Sequence, residues 1–216
     1  NFIALGSGPL LPGSVTVFTD TAGTLTGANG TSYSTTASFS GGHVAGIFKR
    51  WVTAKISTGQ QGLLPVGSDT SKPAQILFTT APTAAGYLQA QWFTANGGIN
   101  GMPLNEPAVT PSTINNVTYG YWQIVNEADA ITGGVYTATF TDKNGSGIPD
   151  FANTTLVKRT NAASPWVLQG SHVATTGSNS FPTLRRTGLS TFSEFAIGFS
   201  SGVLPIAIDY FRGSKL

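Results

Sequence analysis

Apolar and polar residues alternate with a period of two through most of this chain. Residues 75–79 and 87–93 alternate in this way, as the half-buried strands of a β-sheet do. Within 134–140, Val135, Thr137 and Thr139 fall on one face, and Tyr136, Ala138 and Phe140 on the other. The same reasoning predicts strands over 120–125, 155–159, 166–168 and 194–198, with shorter ones over 14–19, 24–26 and 32–34. Residues 43–48 read as a strand whose ladder continues through 50–56. No long window places apolar residues at i, i+3, i+4 and i+7, the helical spacing. Pro/Gly turns such as Leu64-Pro65-Val66-Gly67 and Ser71-Lys72-Pro73 punctuate the pattern. They recur about every 8–12 residues, the spacing of a β-sandwich.

The pattern predicts an all-β protein with two Ig-like β-sandwich units in tandem. The Pro-rich stretch 106–112 is the predicted boundary. Residues 43–108 form the first unit and 109–203 the second. Residues 1–42 are Gly- and Thr-rich, and read either as the end of a β-solenoid or as N-terminal strands of a sandwich. Residues 204–216 read as a linker into a following module.

Composition narrows the function classes. Of 216 residues only 9% are charged, against about 25% in an average soluble protein. Gly, Ser, Thr and Asn carry the polar load instead. With 40% hydrophobic and 11% aromatic residues the chain has enough apolar surface for a core, unlike a disordered segment. The absence of cysteine excludes thiol chemistry and Cys-based zinc sites. The net charge of +2 comes with basic residues in isolated pairs, Lys49-Arg50, Lys158-Arg159 and Arg185-Arg186. A nucleic-acid binder carries a clustered basic face, so no nucleic-acid partner is expected. No run of about 18 apolar residues predicts a membrane-spanning helix. No charged leader precedes an apolar run at the start, and residue 1 reads as mid-chain, so a piece of a longer protein is expected.

The sharpest local motif is Asp142-Lys143-Asn144-Gly145-Ser146-Gly147-Ile148-Pro149-Asp150. Asp142, Asn144, Ser146, the Ile148 carbonyl and Asp150 place oxygen ligands at alternate positions, as a hard cation such as Ca²⁺ requires. The pattern resembles the loops of calcium-binding repeats, with Ser146 where a central Asp would stand. The alternative reading is a hairpin turn between the strands at 134–141 and 154–159, since Asn-Gly and Ser-Gly are ordinary turn dipeptides. Glu127 and Asp129 are close in sequence but lack the second flanking group that glycoside hydrolysis needs. His43 and His172, the only histidines, have no metal-spacing partner and no G-x-S-x-G nucleophile elbow to serve. Trp51, Trp92, Trp122 and Trp166, with Tyr87, Tyr119 and Tyr121, read either as a sugar-stacking platform or as core aromatics.

The succession Tyr121-Trp122-Gln123-Ile124, Tyr136-Thr137-Ala138-Thr139-Phe140, Leu156-Val157-Lys158-Arg159, Trp166 and residues 191–198 resembles a region of large Bacteroidetes cell-surface, adhesin-like proteins exported by the type IX secretion system. In that family the region lies just before C-terminal fibronectin-like and sorting modules. Leu204-Pro205-Ile206, followed by Phe211-Arg212-Gly213, is similar to the family's junction. Residues 44–50 with Leu64-Pro65-Val66-Gly67 are similar to an earlier stretch of it. The resemblance implies an extracellular, cell-surface location and contact with the type IX machinery. It further implies neighbouring domains or identical subunits as partners, with surface glycans as ligands. It does not imply a catalytic activity, and no cofactor is expected beyond a candidate Ca²⁺ at the 142–150 motif. Asp20-Thr21-Ala22 is similar to the pattern these bacteria O-glycosylate, which makes Thr21 a glycosylation candidate. The expected function is a non-enzymatic structural or adhesive segment, self-assembling into filaments or arrays. The alternative is a carbohydrate-binding module of a secreted polysaccharide-active protein, which predicts two or three tryptophans exposed in a row.

Overall fold

The computed structural model describes residues 2–10, 14–17, 25–26, 32–33, 38–126, 131–145 and 147–201, with side chains from residue 42 onward. Predicted features at Thr21, Glu127, Asp129, Ser146 and 204–216 lie outside these residues.

The described chain is built of strands joined by turns. The first six are β1 (Phe2–Leu10), β2 (Ser14–Val17), β3 (Leu25–Thr26), β4 (Ser32–Tyr33), β5 (Ser38–Val44) and β6 (Ile47–Val52). Next come β7 (Leu63–Leu64), β8 (Ala74–Thr80), β9 (Gly86–Asn96), β10 (Leu104–Asn105), β11 (Thr113–Ile114), β12 (Asn116–Val117) and β13 (Tyr119–Asn126). The last are β14 (Val135–Thr141), β15 (Thr154–Arg159), β16 (Ser171–Ser178), β17 (Phe181–Leu189) and β18 (Glu194–Phe199). A single 3-10 turn, Phe151–Asn153, precedes β15. No helix among the described residues is long and apolar enough to cross a membrane.

Two sheets hold the fold. The larger runs β12-β18-β13-β9-β6-β2, with β15 paired to the free side of β18; the smaller runs β16-β17-β14-β8-β7. The predicted alternation sets the inner face of each. Tyr136, Ala138 and Phe140 are fully buried, and their neighbours in β14 are half-buried. Opposite them, Tyr136 registers with Phe78 and Ala138 with Ile76. In the larger sheet Trp122 registers with Trp92 and Ile124 with Ala90. Aromatic rings bridge the sheets: Trp122 lies 4.8 Å from Phe140, and Phe140 lies 4.9 Å from Phe195. Such pairs add about 0.5–1.5 kcal/mol each beyond the apolar area they bury. This face-to-face burial, with alternation in both sheets, is the β-sandwich arrangement.

The chain forms one sandwich where two in tandem were expected. Strands on either side of 108 interleave: β9 pairs with β13, and β8 pairs with β14. One core cluster runs from Val44 to Ile197. The Pro-rich stretch is therefore a covering loop. Val109, Ile114 and Val117 pack with Trp166 on Val157 and Ala196, on the far side of β15 and β18 from the main core. Those two strands are covered on both faces, so their alternation disappears into continuous burial. A fully buried strand reads as a near-continuous apolar run; here Thr154, Thr155, Lys158, Arg159 and Glu194 are buried as well.

Other boundaries shift for local reasons. The strand expected over 43–48 is broken by a bend at Ala45-Gly46, and 53–56 leave the ladder. Residues 166–168 make one isolated bridge, Lys158 to Val167, and no strand. The β16–β17 hairpin was not foreseen. In the N-terminal segment β1 pairs parallel with β5 and β2 parallel with β6, while β3 and β4 form a short antiparallel pair. β2 forms the edge of the larger sheet, so this part of the segment joins the sandwich. Near the start of β13 its pairing with β9 is irregular at Gly120, whose φ is +96°. A Cβ there would stand 2.1 Å from Trp92, so glycine is required for the indole to seat.

Candidate functional site

Three ion pairs are buried among the described residues. The Arg186 guanidinium, from β17, donates to Glu106 Oε2 at 2.6 Å and to Thr155 Oγ1 at 2.9 Å. Its other nitrogens donate to the carbonyls of Gln169 and Gly170. Arg159 Nε donates to Glu194 Oε2 at 2.7 Å, and Nη1 to the Gly97 carbonyl at 2.6 Å. The Arg159 guanidinium also lies 4.3 Å from the Trp166 ring, a cation–π contact. Lys72 donates to the Asp142 carboxylate and, at 2.7 Å, to the Lys143 carbonyl. Burial pushes the Asp142 carboxyl above its usual range, against the hydrogen bond and charge of Lys72.

Near the Arg159 pair lies a depression of about 310 Å³ lined by Lys158, Arg159, Thr160, Val167, Leu168, Gln169, Thr191 and Ser193. A second, of about 460 Å³, shares Thr160, Thr191 and Ser193 and extends toward Ile131 and Phe192. Lys158 is 3% exposed. Its ammonium donates to Gln169 Oε1 at 2.5 Å and to the Thr191 hydroxyl, and lies 5.9 Å from the Phe195 ring. Burial lowers its pKa to about 8, because desolvation penalises the charged form. Sequence patterning missed this residue: a strand-end lysine reads as solvated, and nothing local signals that loops will enclose it.

Among the described residues, the two predicted calcium-binding carboxylates bond other partners. Asp142 is buried and bonded to Lys72. Asp150 is exposed and caps the 3-10 turn, accepting from Ala152 N at 3.0 Å and Asn153 Nδ2 at 2.7 Å. Asn144 takes a left-handed φ of 59°, and the Ile148 side chain joins the main core. The hairpin alternative is also replaced: β14 belongs to the smaller sheet and β15 to the larger, so the loop crosses between sheets. No group of three or more His, Asp or Glu side chains gathers among the described residues.

The predicted aromatic platform divides. Trp92, Trp122 and Trp166 are buried, so they serve the two cores. Trp122 Nε1 donates to the Lys72 carbonyl, and Trp166 Nε1 to that of Gly98. Trp51 and Tyr87 meet edge-on at 4.9 Å, and Phe93 stacks on Tyr121 at 5.2 Å, on the outer face of the larger sheet. Tyr119 is exposed. The histidines sit apart: His43 Nε2 lies 2.5 Å from the Ser68 carbonyl, and His172 Nδ1 lies 3.1 Å from Thr155 Oγ1. Desolvation lowers the His172 pKa; the Glu106 charge opposes this and Arg186 adds to it.

Comparison of the chain with protein-family models, curated proteins and solved structures gave no match.

Proposed function

We propose that this chain is a non-enzymatic structural module of an exported cell-surface protein of the type IX class. The observation that carries this reading is the use of its reactive groups. Glu106, Asp142 and Glu194 each bond a buried cation, and both histidines bond neutral groups in separate places. A glycosidase needs two carboxylates facing one substrate bond; Glu106, Asp142 and Glu194 face inward, to arginine and lysine, and the exposed Asp150 caps a 3-10 turn. The role is mechanical: a rigid sandwich that carries neighbouring modules or identical subunits. The parallel pairs of the N-terminal segment support it, because among the described residues β2 ends the larger sheet, and a sheet edge has backbone donors and acceptors that further strands can pair. Low charge leaves little repulsion against such assembly.

Size-exclusion chromatography with light scattering tests this reading. A stable species, monomeric or assembled, with no turnover on a panel of polysaccharides and glycosides supports a structural module. Saturable hydrolysis by the purified chain overturns it.

A further inference from the structure

The three ion pairs show one way this fold accommodates a charge taken out of water: each of these cations meets a carboxylate. Lys158 is accommodated differently. It is as buried as they are, yet its partners are two neutral oxygens and an aromatic ring. No acidic side chain among the described residues bonds it. An ammonium has three N–H donors, and two are used. Arg159, next in the chain, is already neutralised by Glu194, and Arg186 by Glu106. A single positive charge therefore remains at the wall of the 310 Å³ depression, which Thr160 and Ser193 also line.

An uncompensated buried charge is costly, and an anion with good hydrogen-bond geometry offsets that cost. We infer that this depression binds the carboxylate of a small acidic ligand, with the Lys158 ammonium as its counter-charge and the Thr160 and Ser193 hydroxyls as further donors. The one spare ammonium donor and the single charge suit a monoanion. A phosphate or sulfate would call on a free guanidinium or several backbone N–H groups, and the Arg159 guanidinium is already held by Glu194 and Gly97. The volume lies at the lower end of the range of about 300–1,000 Å³ usual for small-molecule sites. This assignment does not depend on the structural role proposed above, and would give the module a recognition function.

The test is calorimetric and NMR titration of the whole chain with sodium acetate, sodium D-glucuronate and uncharged D-glucose at constant ionic strength. Both acids should bind saturably, and glucose should not. Lys158→Met should weaken the acids by about 10- to 100-fold, the worth of a charge-assisted hydrogen bond, with an unchanged circular dichroism spectrum. Lys158→Gln provides a second variant if methionine disturbs folding. In the unmodified chain, bound acid should raise the titration midpoint of the Lys158 ammonium. Glucuronate binding more tightly than acetate supports a sugar acid; equal affinities support recognition of the carboxylate alone. The assignment is overturned if neither acid saturates, if glucose binds as well as glucuronate, or if folded Lys158 variants keep full affinity.

Discussion

The surroundings of Lys72 and of Lys158 bury the same side chain in two ways. Lys72 is held by the Asp142 carboxylate and the Lys143 carbonyl, with the Trp92 ring 5.3 Å from its nitrogen. Lys158 is held by an amide oxygen and a hydroxyl, with the Phe195 ring in the corresponding place. Aromatic enclosure is common to both; the counter-charge is not. Where the counter-charge is present, the lysine closes the structure between distant segments. Where it is missing, burial lowers the pKa to about 8, and the side chain borders a depression. The difference teaches that a buried lysine marks a structural joint in one setting and a binding site in another, and that the partner decides which.

The largest expected effect comes from removing the counter-charge that exists. Asp142→Ala should lower unfolding free energy by about 3–5 kcal/mol, the usual cost of leaving one member of a buried pair alone. The double variant Lys72→Met/Asp142→Leu should recover most of it. Urea denaturation measures both, and a single-variant loss below about 1 kcal/mol would erase the distinction between the two regions.

Lys158→Met should act in the opposite direction. Between pH 8 and 10 the native state binds fewer protons than the unfolded chain, because the native pKa of about 8 lies below the ordinary lysine value of 10.5. Stability therefore rises with pH in that window. Below the native pKa the lysine is charged in both states and the full burial penalty is present, up to about 3 kcal/mol. Methionine should remove both the penalty and the rise, so the variant should be the more stable protein at pH 7. Denaturation midpoints at pH 7, 8, 9 and 10 for the two proteins are the check. Parallel curves would mean that Lys158 has its own counter-charge after all.

Asp150→Ala should cost about 1 kcal/mol, the worth of a capping carboxylate. It should leave the pH dependence of the Lys158 region untouched. The smallest effect expected is none: neither EDTA nor added calcium should shift the unfolding midpoint, because Asp142 and Asp150 serve different partners. A calcium-dependent rise in midpoint, lost equally in Asp142→Ala and Asp150→Ala, would show that the two carboxylates act as one site.

Much of the sandwich was legible in the sequence because its strands lie half in the core. In β14 the faces read from alternation are the faces observed, with Tyr136, Ala138 and Phe140 inward. In β16 only Thr175 is buried, so no apolar period announced it. Backbone pairing with β17 holds it in place. The candidate site was less legible still. Lys158 and Arg159 are adjacent, yet one faces neutral oxygens and the other Glu194. The Asp142–Asp150 motif has ligand spacing, but spacing does not show that Lys72, 70 residues away, takes its first carboxylate.

What the sequence determined by itself is the period: a chain of alternating β-branched, aromatic and small polar residues, with few charges and no cysteine, folds as β-sheet with one apolar face per strand. What only the tertiary structure decided is who pairs with whom. Two tandem sandwiches and one interleaved sandwich present the same alternation, because a period of two fixes the face of a residue and leaves its neighbour open. The choice came from contacts across the chain: Trp92 against Trp122, Phe78 against Tyr136, and Glu106 reaching Arg186 over 80 residues. The same contacts gave three buried cations a carboxylate and left Lys158 with neutral oxygens.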